Sequence, residues 1–107
     1  MKFKDKVVLV TGAGRGIGAA IARAFAAEGA AVGVNFLRDA DSAAQVVEDC
    51  RRAGGDAIAL QADVTDAAAC AAMVDALVAE MGRLDVVVNN AFKPYTFDPE
   101  QRRSFGE

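Results

Sequence analysis

Short apolar runs alternate with longer segments of helical spacing along this chain, and glycine marks most of the joints. Val7-Val8-Leu9-Val10 has no polar interruption, which is the pattern of a strand buried on both faces, as in a parallel sheet covered by helices. After the glycine-rich residues 12–18, Ile17, Ile21 and Phe25 recur four apart with Ala20 and Ala24 between them, predicting a helix with that apolar face, ending at Gly29. Ala31 to Phe36 reads as a second strand. Ser42, followed three residues later by Gln45, resembles a capping box that opens a helix through about Ala53, where Gly54-Gly55 stop it. Ala57 to Gln61 is a third strand. The stretch from about Thr65 to Met81 carries Met73, Leu77 and Met81 at helical spacing, Gly82 closes it, and Val86 to Val88 is a fourth strand. This alternation predicts an α/β fold, a doubly wound parallel sheet of four strands and three helices joined by right-handed crossovers.

After Asn90 the character changes. Pro94, Pro99, the cluster Glu100-Gln101-Arg102-Arg103 and Gly106 form a polar segment with no period. The expected organisation is therefore a sheet-forming unit over 1–91 and a loop or tail over 92–107. An α/β sheet ending after its fourth strand leaves that strand's outer edge unpaired, so the chain is expected to be truncated relative to a complete fold.

Composition narrows the function classes. With 107 residues, 53% hydrophobic and 25% charged, the chain can build one core and is not disordered by composition. Twelve basic against fifteen acidic residues give a net charge of -3, without the basic excess that nucleic acid requires. No apolar run approaches the ~20 residues of a membrane span. Met1 to Lys6 lacks the apolar stretch and cleavage site of a secretory signal, so a cytoplasmic setting is expected. Cys50 and Cys70 are too far apart for a CxxC pair, and the absence of histidine removes common zinc sites and a Ser/His/Asp triad. Both cysteines read as small buried hydrophobes, and Met73 and Met81 as core filler.

The chemistry that remains gathers in Thr11-Gly12-Ala13-Gly14-Arg15-Gly16-Ile17-Gly18, between the first strand and the first helix. Bare glycines let a ligand approach the main chain, and the helix that follows points unpaired N–H groups and its positive dipole end into the same space, which suits a pyrophosphate. The same glycines would also serve a tight turn that packs helix on strand. Their position between a strand and a helix, followed by further β-α units, is the setting of a dinucleotide-binding fold.

These residues resemble the short-chain dehydrogenase/reductase family, whose turn is spaced Thr-Gly-x-x-x-Gly-x-Gly, as in Thr11, Gly12, Gly16 and Gly18. Asp63-Val64 after the third strand is similar to that family's adenine-contacting pair. Asn89-Asn90-Ala91 after the fourth is similar to its Asn-Asn-Ala-Gly motif, with Phe92 departing from the final glycine. A position there that needs positive φ would be strained by roughly 1–2 kcal/mol with phenylalanine. The resemblance spans residues 6–91. It implies a Rossmann-like sheet of order 3-2-1-4 and a nicotinamide dinucleotide bound by Gly12, Gly14, Arg15, Gly16, Ile17, Gly18, Arg38, Asp63, Val64, Asn90 and Ala91. Asn89 is implied to brace the central strand, and Asn90 and Ala91 to lie along the adenosine ribose. Asp63 also reads as a loop residue ahead of the helix caps Thr65 and Asp66.

The second strand ends Asn35-Phe36-Leu37-Arg38, where an NAD-preferring fold commonly carries an acidic residue. Arg38 suits a 2'-phosphate, and Arg15 resembles the second basic position of NADPH-preferring members, so NADP(H) is favoured. Asp39 and Asp41 keep NAD(H) possible, since a shift of one residue would bring Asp39 to the ribose. Either arginine could equally be solvated.

Reduction of a carbonyl also needs a proton donor. The family's Tyr-x-x-x-Lys pair has no match in this chain: Tyr95 is the only tyrosine and Pro99 stands four residues on. Tyr95 reads as a loop or packing aromatic, and Lys93 as a solvated charge. Ser42 and Ser104 lack the family's surrounding sequence. The resemblance thus implies the N-terminal, cofactor-binding part of an NADP(H)-dependent carbonyl reductase. Asn35 is similar to the 3-oxoacyl carrier-protein reductase branch, and the intact enzyme would be a homo-oligomer. No turnover is expected of the chain alone. Two other readings are a noncatalytic dinucleotide-binding module and a complementing piece of a split enzyme.

Overall fold

β1 (Val7–Val10), β2 (Ala31–Phe36), β3 (Asp56–Gln61) and β4 (Val86–Val88) alternate with α1 (Gly16–Ala27), α2 (Ala40–Ala53) and α3 (Ala67–Met81) in the computed structural model, which describes residues 1–91. All pairings are parallel and the strand order is β3-β2-β1-β4, as the β-α alternation and the family resemblance predict. Central β1 places Val8 between Val32 and Val86, and Val10 between Val34 and Val88.

Alternate residues of a strand point to opposite faces, and both faces of β1 are covered, which is why no polar residue interrupts it. Val8 and Val10 join Val32, Val34 and Ala57 beneath α1 and α2. Val7 and Leu9 face Met73 and Leu77 of α3 on the other side. β4 pairs with β1 alone among the described residues, and Val87 is 55% exposed. Its entry is held by Asp85, whose carboxylate accepts the Val7 amide at 2.9 Å and an Arg83 N–H at 2.7 Å.

α1 buries a different face from the one its large residues suggest. Ala19, Ala22 and Ala26 meet the sheet together with Gly18, whereas Ile17 is 75% exposed and Ala20 and Ala24 face solvent. Ile21 and Phe25 flank the contact, with the Phe25 ring edge-on to Phe3 at 5.0 Å. Small residues let the helix axis come close to β1 and β2, and the bulky ones are displaced to its margins.

The start of α2 also differs from expectation, whereas Asp66 caps α3 as expected. α2 is capped by Asp39 rather than Ser42: Oδ1 of Asp39 accepts the Ser42 amide at 3.0 Å and Oδ2 the Ser42 hydroxyl at 2.8 Å. Gln45 reaches forward to Asp49 instead of back to the cap. α3 begins at Ala67 with Asp66 as its cap, while Thr65 stays outside and donates to Asp63. β3 starts one residue early, because Asp56 is in register with Ala31. Cys50 is fully buried, and burial pushes its thiol above the ordinary range. Cys70 is only half-buried, its thiol donating to the Val64 carbonyl. Among the described residues no helix is long and apolar enough to cross a membrane. The expectations for Phe92, Lys93, Tyr95 and Ser104, and for the tail as a whole, lie outside the described residues.

Candidate functional site

A cleft of about 800 Å³ opens at the carboxyl ends of the central strands. Its walls are the turn after β1 (Gly12, Gly14, Arg15, Gly16), the segment leaving β2 (Phe36, Leu37, Arg38, Asp39) and the residues after β4 (Asn90, Ala91). The chain leaves β1 toward β2 on one side and arrives at β4 on the other, so the strands' ends part there; crevices of this kind are where open α/β sheets bind ligands.

The glycines of the turn are required for different reasons. Gly12 has φ +60°, and a Cβ on it would sit 3.1 Å from Cβ of Ala91. Gly16 has φ +61° with no atom within 4 Å of where its Cβ would be, so it supplies the backbone angle and leaves its surface open. A Cβ on Gly18 would collide with the Gly12 carbonyl oxygen and stand 2.7 Å from Nδ2 of Asn90: this glycine seats α1 on the turn. Gly14 is under less constraint, with Cβ of Phe36 3.4 Å away as nearest neighbour.

α1 starts without a side-chain cap and without an acidic residue in its first turn. The helix's first internal bond runs from the Ala19 amide to the Arg15 carbonyl, so the amides of Gly16, Ile17 and Gly18 have no acceptor among the described residues. α2 and α3, by contrast, are closed by Asp39 and Asp66. The helix that faces the cleft is the one whose positive end is left open.

Two buried polar side chains hold the turn. The Thr11 hydroxyl accepts the amides of Asn90 at 2.8 Å and Ala91 at 3.0 Å, and lies 3.2 Å from Oδ1 of Asn89. On the opposite side Oδ1 of Asn35 accepts the Gly12 amide at 3.0 Å. Asn90 in turn donates from Nδ2 to the Gly12 carbonyl at 3.3 Å.

The profile of the short chain dehydrogenase family matches residues 6–99. The chain belongs to this family. It is 52% identical over 90 residues to elsinochrome reductase 1 of Elsinoe fawcettii, an alignment covering 84% of this chain and 34% of the relative. The fold is similar to a short chain dehydrogenase from Burkholderia cenocepacia J2315 in complex with NADP (TM-score 0.85, 40% identity, 94% of this chain and 41% of that one). It is also similar to an NADH-dependent reductase complexed with NAD (TM-score 0.78, 40% identity, 83% and 37% of the two chains). The chain spans about a third of the length of the curated relatives it matches.

In this family member, seven of the residues singled out from the sequence meet at the cleft: Gly12, Gly14, Arg15, Gly16, Arg38, Asn90 and Ala91. Ile17 and Gly18 follow in the first turn of α1 but do not form its walls, and Asp63 and Val64 lie beyond it after β3. Oδ1 of Asp63 accepts the amide and hydroxyl of Thr65 at 2.9 and 2.6 Å. Asp39 lies on the wall with both carboxylate oxygens engaged by Ser42, and these bonds, with Arg15 nearby, hold its carboxyl below the ordinary value. Sequence reasoning missed Phe36 and Leu37 as walls and Asn35 as a support. The available signal for Asn35 was a lone carboxamide in an otherwise apolar strand.

The turn fits the diphosphate of a dinucleotide on its own geometry. A cradle without side chains at Gly16, three open amides and two arginines on the wall suit an anionic diphosphate-containing group.

Proposed function

We propose that this chain is the cofactor-binding part of an NADP(H)-dependent short-chain oxidoreductase that acts on a carbonyl substrate. The observation that carries this reading is the open N-terminus of α1 over Gly16, flanked on one cleft by Arg15 and Arg38. The diphosphate would rest on the amides of Gly16, Ile17 and Gly18, where helix-end N–H groups and dipole favour negative charge. Arg38 and Arg15 would hold a 2'-phosphate by charge-assisted hydrogen bonds. Asn90 and Ala91 would border the ribose, and Asp63 and Val64 the adenine.

NADP(H) is preferred over NAD(H) in this reading because Asp39, the one carboxylate on the wall among the described residues, has both oxygens turned to Ser42 and caps α2. Among similar structures one holds NADP and another NAD, so the preference rests on these residues. When bound, the nicotinamide supplies or accepts a hydride. Residues 1–91 bind and orient it through the turn, and proton delivery is assigned to groups outside the sequence given, since Tyr95 has no lysine four residues on. The chain alone is therefore expected to oxidise no NADPH with a ketone. A 3-oxoacyl thioester remains the proposed carbonyl class on the resemblance at Asn35. Elsinochrome reductase 1, which this chain is similar to, is named for elsinochrome, which makes that compound the second substrate to assay.

Paired calorimetry with NADPH and NADH on the purified chain tests the reading. Tighter binding of NADPH is expected. Equal or tighter binding of NADH overturns the preference, and binding of neither overturns the site.

A further inference from the structure

Asn35 is 2% exposed and, with Thr11, is one of two buried polar residues among the described residues. Its bonds run to two separate loops. Oδ1 accepts the amide of Gly12, in the glycine turn, at 3.0 Å, and its main-chain carbonyl accepts Ala13 N–H at 2.7 Å. Nδ2 donates to the Leu60 carbonyl and to the Ala62 carbonyl, each at 3.2 Å. Ala62 directly precedes Asp63 and Val64. A carboxamide is the one side chain of this size that offers an acceptor on one atom and two donors on the other, and here all three are used.

We infer that Asn35 is a positioning residue that couples the glycine turn to residues 62–64, so that a group bound at one end sets the geometry of the other. The inference deepens the proposed function and rests on its placement of the diphosphate at α1. The carboxamide is planar and buried, so a displacement of Gly12 is passed to Ala62 or breaks a buried hydrogen bond. Thr11 and Asn90, by contrast, tie the turn to the β4 side. The role differs from packing, because an apolar residue of equal volume would fill the space and leave the Gly12 N–H and two carbonyls without this partner.

Asn35→Asp separates the two halves of the strut. It keeps an oxygen for the Gly12 amide and removes the donors to Leu60 and Ala62; Asn35→Ser serves as a second variant with less bulk should the carboxylate prevent folding. The probe is inorganic diphosphate, which carries no adenine, followed by backbone amide NMR of the 107-residue chain. In the unaltered chain it is expected to shift the amides of Gly16 to Gly18 and also those of Ala62, Asp63 and Val64. In a folded variant the response at Gly16 to Gly18 persists and the response at residues 62–64 is lost, and NADPH binding weakens about tenfold. A response at 62–64 that is the same in chain and variants, or missing from the unaltered chain while Gly16 to Gly18 respond, overturns the coupling. No response at Gly16 to Gly18 in the unaltered chain overturns instead the diphosphate site on which it rests.

Discussion

The carboxamide of Asn90 donates to the main-chain oxygen of Gly12 at 3.3 Å, across the junction between the end of β4 and the turn after β1. A residue expected to lie along a ribose thus spends its side-chain donor on the turn itself. The turn is consequently held from both sides, by Thr11 and Asn90 toward β4 and by Asn35 toward β2 and β3. The glycine turn and residues 89–91 are thereby joined into one hydrogen-bonded piece, which lowers the cost of ordering them around a ligand.

Alanine at three glycines is expected to give three outcomes. Gly14→Ala stays within about 0.5 kcal/mol, because its new methyl meets only ordinary contacts. Gly16→Ala costs about 1–2 kcal/mol through its positive φ. Gly18→Ala costs about 1–3 kcal/mol or more and displaces Asn90, because the obstacle is the Gly12 carbonyl rather than a flexible side chain. Urea unfolding of the three variants checks the order; equal midpoints for Gly14→Ala and Gly18→Ala would show the packing account to be wrong.

Thr11→Val keeps the shape of the side chain and removes the oxygen that accepts the amides of Asn90 and Ala91. A loss of about 1–3 kcal/mol is expected, the range for leaving a buried donor unsatisfied. Thr11→Ser should restore most of it. If serine is no better than valine in a denaturant titration, the hydroxyl is not what holds the loop.

Arg38→Asp exchanges a partner for the 2'-phosphate for a repulsive charge. The NADPH-to-NADH affinity ratio is expected to fall about tenfold or more, since hydrogen bonds to charged groups contribute about 1.5–3 kcal/mol. An unchanged ratio in calorimetry removes Arg38 from the site.

Stability should fall in acid. Asp39, Asp49 and Asp85 are all held below their ordinary 3.8, the first chiefly by Ser42, the second by Gln45 and the third by Arg83 and then the Val7 amide. A carboxyl with a depressed folded-state pKa stabilises the fold above the unfolded value, and that contribution disappears as pH falls through the folded value. The urea midpoint should therefore be level from pH 7 to about 5 and decline below 3.8. Asp85→Asn, which loses the charge facing Arg83, should flatten part of that decline; a parallel curve for the variant would exclude Asp85 as a contributor.

The conspicuous repeat in α1 does not mark its closest contact: Ile21 and Phe25 pack at the margin of the core and Ile17 is exposed, while Ala19, Ala22 and Ala26 make the close contact. Helical period alone does not rank faces by how near they must come to a neighbour. The α2 cap was misread for a related reason: Asp39 and Ser42 are both good capping residues, and only the path of the chain from Phe36 to Ala40 decides which one stands at the helix end.

The amino-acid order by itself determined the β-α alternation, the buried character of β1 and the place of the glycine turn, because these depend on period, apolar content and backbone permission within a few neighbouring residues. Which side chains brace that turn depended on strands far apart in sequence being brought side by side. Asn35 reaches Gly12 and Ala62, and Thr11 reaches Asn90, only after β2, β1 and β4 have taken their order in the sheet. A hydrogen bond needs two partners at about 3 Å, and no local pattern specifies the second one.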